Sequence, residues 1–311
     1  MPYRAILIAA LQAAGLTVPL FIIPVLGQVL SLFAPVPLVI IAVRQGRAAG
    51  LAAMAAAAAL IAAIAGGQFL FVLFFLSFGL MAAGIAEGML RRLRPERAIL
   101  AGGLLPIAAL LLILVPFMLK AGKNPVTLAE DYLRTSITDA QQLYAQLGIA
   151  EISQMLASVT DRMLFYLVRL SPGVILTASL FQAAVCFGMA RSIILRKSPG
   201  VPLSSEPSLA TWHAPDSWVW GLIAALGLVA LPDESIRLIG LNLVAVYLLV
   251  YTAQGVTIVE YLLRRMKITV IWRSFIHTII LTLPLIALVI ALGVVDIWAD
   301  FRKVRRQQPA A

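Results

Sequence analysis

Two acid and base pairs at helical spacing are the first candidates for chemistry in this chain: Glu87 stands four positions before Arg91, and Glu260 four before Arg264. On a helix such residues share a face and meet. Where water reaches them the pair is structural; where water is kept away it can couple to a proton or a ligand. A second constellation is uncharged. Tyr247, Tyr251, Gln254 and Tyr261 form one stripe of a helix, able to line a small-molecule pocket, with Asn242 as a further candidate upstream, or to hydrogen-bond across helices. Catalytic motifs are missing: the chain has no nucleophile elbow, Walker loop, dinucleotide fingerprint or paired zinc motif. Its two histidines, His213 and His277, have no second His or Cys at ligand spacing, so no metal, no cofactor and no enzymatic activity are expected.

The elements that must position these residues are apolar. Runs of about twenty residues recur along the chain, each long enough to cross a hydrocarbon core of about 30 Å as a helix. The runs are continuous rather than alternating, which excludes a barrel. Of 311 residues 62% are hydrophobic and 12% charged, with a mean hydropathy of +0.99, too apolar for a wetted surface. The expected fold is all-α: a polytopic transmembrane bundle. Helices are expected at 5–30, 34–44, 47–66, 68–89, 98–119, 172–195, 217–231, 238–263 and 274–295, giving about eight or nine spans. Pro19 and Pro24 fall inside the first and favour kinks.

The net charge of +10 sits between the runs, where it sets orientation and meets anionic lipid rather than nucleic acid. Arg4, Arg44, Arg47, the Arg91 to Arg97 cluster, Arg191 to Lys197 and Arg264 to Arg273 fall on one side if the helices alternate. That side is read as the cytoplasm of a bacterial inner membrane. With nine spans the basic tail Arg302, Lys303, Arg305 and Arg306 ends outside; with eight it ends inside. The single cysteine, Cys186, excludes an intrachain disulfide.

The one sizeable polar piece, Lys120 to Arg162, reads as an extracytoplasmic helical hairpin. Thr127 and Glu130 have capping-box spacing, Gly148 interrupts, and Ile152, Met155, Leu156, Val159 and Met163 give an amphipathic second helix. Arg169, with no acid close in sequence, is expected to snorkel to the outer interface. Three regions follow: 1–195, with six spans and the hairpin; a cytoplasmic loop, 196–216; and 217–311, with three spans and the basic tail.

Several of these segments resemble the YybS-like bacterial membrane proteins (domain of unknown function 2232). They are Gly240-Leu241-Asn242-Leu243, Gln254-Gly255, Arg264-Arg265, Ser171-Pro172-Gly173, Trp212-x-x-Pro215 and the ending Asp296-x-Trp298-x-Asp300-Phe301-Arg302. That resemblance implies a membrane location and no known activity. Residues 1–195 are distantly similar to the substrate-binding subunits of energy-coupling-factor vitamin transporters. In that group alanines at four-residue spacing on the first helix contact a coupling subunit, which would make Ala5, Ala9 and Ala13 a docking face here. Two functions are expected on these grounds. One is transport-related binding of a small solute in the bundle, with transporter subunits or other membrane proteins as partners beside membrane lipid. The alternative is a non-transporting scaffold that organises envelope proteins. An enclosed cavity at Tyr251 and Gln254 would favour the first, and a solid alanine-packed core the second.

Overall fold

The computed structural model describes residues 2–65, 67, 72–122, 124–158, 161–198, 212–280 and 285–302. Gly66 of the expected turn, Val159, Ser205 and the basic residues after Arg302 lie outside them. The helices are α1 (Pro2–Thr17), α2 (Pro24–Ser31), α3 (Pro35–Gln45), α4 (Arg47–Ala65), α5 (Leu80–Leu90), α6 (Pro95–Ala121) and α7 (Pro125–Gln146). They continue as α8 (Ala150–Ala157), α9 (Asp161–Lys197), α10 (Trp218–Ala230), α11 (Glu234–Arg265), α12 (Val270–Ile280) and α13 (Leu285–Ala299). The described residues include no strand, and seven segments are long and apolar enough to cross a membrane, with α10 and α13 as shorter apolar helices. The all-α membrane bundle is therefore the fold.

Four boundaries differ from the sequence expectation. The first run breaks at a 3-10 turn, Val18–Phe21, before Pro24 starts α2, so Tyr3–Phe21 and Leu26–Gln45 are separate spans. In the last run α12 ends at Ile280 and α13 begins at Leu285, with 281–284 outside the described residues. The cap of α7 is Asn124, whose side chain accepts the Val126 N–H at 2.9 Å, and Thr127 bonds back to the Asn124 carbonyl instead of capping. Finally, Met163 belongs to α9, because the expected second hairpin helix ends at Ala157.

By its contacts the chain forms two compact units, each made of segments separated in sequence. The first comprises 1–111, 176–214 and 251–311, and the second 112–175 and 215–250.

In the first unit the core is built on small residues. Ala9, Ala10, Ala13 and Ala14 of α1, Ala53, Ala57 and Ala58 of α4, Ala82 and Ala86 of α5, and Ala183 and Ala190 of α9 are buried in one cluster with Leu38, Met54, Ile61 and Ile85. Small side chains let helices approach closely where lipid supplies no hydrophobic drive. A Cβ on Gly84 would lie 2.7 Å from the Ala101 carbonyl oxygen, and one on Gly88 2.5 Å from the Ala98 Cβ, so α5 and α6 meet almost backbone to backbone.

In the second unit α9 runs straight through Pro172, which the sequence suggested as a helix start. Proline in a helix interior deprives the carbonyl four residues back of its donor and pushes apart the turn below it. Here those groups are partnered: Ser171 Oγ donates to the Val168 carbonyl at 2.7 Å, Asn242 Nδ2 donates to the Arg169 carbonyl at 2.9 Å, and Asn242 Oδ1 accepts the Gly173 N–H at 2.6 Å. One asparagine on α11 thus mends the helix that a proline opened. Arg169 is not a lone snorkelling cation, since it pairs with Glu130 of α7 and lies 3.6 Å over the Phe165 ring.

Candidate functional site

The residues of the stripe read from sequence each have partners of their own. Asn242 is committed to the backbone around Pro172. Tyr247 packs on Gly221, where a Cβ would collide with its ring. Tyr251 is fully buried, and Gln254 is 2% exposed.

Gln254 belongs to a buried polar cluster. Its Oε1 accepts the Ala214 N–H at 3.1 Å, and its Nε2 donates to Asp296 Oδ2 at 3.3 Å. Asp296, in the last turn of α13, would be disfavoured there by the negative end of the helix dipole. Arg302 compensates, with Nη2 donating to Asp296 Oδ2 at 2.9 Å; the arginine side chain is 1% exposed and the aspartate 5%. The spacing of the ending makes this possible. The chain reverses at Asp300, in the left-handed region at φ 40, and Asp296 Oδ1 accepts the Phe301 N–H at 2.9 Å. Arg302 then folds back past the aspartate, and its Nη1 donates to the Trp212 carbonyl at 2.8 Å and to Thr257 Oγ1 at 2.9 Å. Below the cluster α11 and α13 cross at Gly255 and Gly293, where a Cβ on Gly293 would sit 2.9 Å from the Gly255 nitrogen. Sequence reading had treated these charges as a tail; the six-residue gap between Asp296 and Arg302 was the available signal.

Two further charge clusters belong to the same unit. Glu260 Oε1 accepts from Arg264 Nε and from Arg273 Nη1, both at 2.6 Å, and its other oxygen lies 3.9 Å from His277 Nε2. Sequence spacing supplied Arg264 but not Arg273 or His277, which arrive on α12.

Glu87 accepts from Arg91 Nε at 2.5 Å and from Arg47 Nε and Nη2 at 2.7 and 3.0 Å. Arg47 opens α4, 40 positions away in sequence, so spacing could not find it. This trio stands beside a groove of about 710 Å³ between α4, α5 and α6, walled by Leu51, Met54, Leu100, Leu104 and Leu105.

The alanines proposed for docking turn inward. Ala9 and Ala13 are buried in the core of their own unit and Ala5 packs against it half-buried. Among the described residues no group of three or more His, Cys, Asp or Glu side chains could hold a metal ion.

Several segments behind the sequence resemblance therefore meet in space: Trp212 to Ala214, Gln254-Gly255 and Asp296 to Arg302 form one cluster, and Ser171-Pro172-Gly173 meets Asn242 in another. No curated protein and no solved structure matches the chain. A family model described as a predicted membrane protein (DUF2232) matches residues 10–297, and with nearly the whole sequence inside that match, the chain belongs to the DUF2232 family of membrane proteins.

Proposed function

We propose that the chain is a non-transporting scaffold of the bacterial cytoplasmic membrane, organising envelope proteins through its helices and the α7 and α8 hairpin. One observation carries this reading: the polar groups available for a solute are spent on the protein itself. Gln254 is bonded at both ends, and Asn242 makes three hydrogen bonds through its two polar atoms, all to groups of the chain. The alanine core of the first unit is likewise filled. The hairpin, by contrast, displays Tyr132, Leu143, Leu147 and Met155 at its surface, a composition suited to a partner or to the membrane interface.

The test has two arms. Purified protein is melted in detergent against a panel of vitamins, amino acids and nucleosides; the scaffold reading expects no stabilisation. A solute that raises the melting temperature of the wild type but not of Gln254→Leu would overturn it and restore solute binding, since ligand at 100 times its Kd adds about 2.7 kcal/mol. In cells, a photo-crosslinking residue at position 132 is expected to trap one envelope protein reproducibly. Orientation is checked with Cys186 replaced and single cysteines at 92 and 140. An impermeant reagent should label 140 in intact cells and spare 92.

A further inference from the structure

The groove between α4, α5 and α6 combines an apolar trough with a cationic end. Along α6 its lining runs from Leu100 to Ala108, about 12 Å at 1.5 Å per residue and most of the roughly 15 Å hydrocarbon depth of one leaflet. Leu51, Leu104 and Leu105 are exposed along it. At the other end Arg47 and Arg91 share Glu87, yet their side chains remain 65% and 67% exposed. A guanidinium carries five donors, and Glu87 occupies only one or two on each. Arg44, Arg92, Arg94 and Arg97, all exposed, flank the trio in sequence. The glutamate therefore sets the two guanidiniums side by side without neutralising the end of the groove.

We propose that this groove binds an anionic phospholipid, with an acyl chain along Leu51, Met54, Leu100, Leu104 and Leu105 and the headgroup phosphate between Arg47 and Arg91. The charge selects the occupant. An apolar partner helix would bring no acceptor to the remaining donors of Arg47 and Arg91, whereas a phosphate diester supplies oxygens in the geometry that guanidinium recognises. Basic pockets between membrane helices on the cytoplasmic side hold acidic headgroups by this chemistry. The site stands apart from the scaffold reading and survives its failure.

The experiment reconstitutes the full chain in nanodiscs containing equal amounts of phosphatidylglycerol and phosphatidylcholine. It then measures by native mass spectrometry which lipid stays bound after transfer to detergent. Wild type should retain phosphatidylglycerol preferentially, and Arg47→Gln with Arg91→Gln should lower that preference by about fivefold per arginine. Ala108→Trp, which fills the groove from its exposed side, should reduce retention of both lipids. Equal retention of the two lipids by the wild type overturns the proposal, as does an unchanged preference in the arginine double variant. Loss of the preference on adding millimolar inorganic phosphate also overturns it, by assigning the arginines to a free anion. If the double variant does not fold, Ala108→Trp decides alone, and unchanged retention there sinks the idea.

Discussion

The two halves of the first unit are held together by opposite means. Among α1, α3, α4 and α5 the buried contact surfaces are built mainly of alanine, glycine and aliphatic side chains, and the Arg47 and Glu87 pair between α4 and α5 sits at their water-exposed edge. Around Trp212, Gln254 and Arg302 a non-helical stretch of backbone packs into the unit, and its carbonyl and N–H are matched by an amide and an ion pair. The difference teaches why charge appears in so apolar a chain. Helices satisfy their own backbones, so their packing tolerates simple composition; irregular backbone away from water needs dedicated partners.

That contrast predicts a hierarchy of responses. Arg302→Met should have the largest effect, about 3–5 kcal/mol, because it leaves Asp296 charged and buried and strips the Trp212 carbonyl of a donor. The double variant Asp296→Leu and Arg302→Met should recover part of that loss, and a melting series of the singles and the double measures the coupling. If the double is worse than the sum of the singles, the pair is not the unit of stabilisation claimed here. Next comes Ala9→Leu, which overpacks the alanine core and should lower the detergent melting temperature by the equivalent of about 1–3 kcal/mol. Leu7→Ala, on the exposed side of α1, is the control and should be close to neutral. A comparable loss is expected for Asn242→Leu, about 1–3 kcal/mol, since it leaves the Arg169 carbonyl and Gly173 N–H without their side-chain partner. Combining it with Pro172→Ala should erase most of the cost if the asparagine exists to mend the proline. Glu87→Gln should fall within error of the wild type in melting, because its arginines are largely in solvent; a clear drop there would mean that charge holds the helix packing together after all.

The fold was largely legible because hydrophobic length is a local property. Most spans lie where apolar runs place them, and Gly46 and Gly148, at φ 95 and 74, punctuate the chain where their sequence context suggests. What escaped was non-local. Spacing paired Glu87 with Arg91 but could not supply Arg47, and it paired Glu260 with Arg264 but not with Arg273. The polar stripe reads as one face because Tyr247, Tyr251 and Gln254 follow helical periodicity, and Asn242 joins them only as a polar residue of the same helix. Their partners, though, come from Gly173, Gly221 and Ala214, which no periodicity relates to them. Pro172 misled for the same reason, since the residue that makes a helix possible through it is 70 positions downstream.

The polar cluster also ties together lengths of chain that are far apart in sequence. Gln254 bonds to Ala214, 40 positions behind it, and to Asp296, 42 positions ahead of it. A single amide therefore closes two long loops, and the entropy of both closures rests on that one side chain.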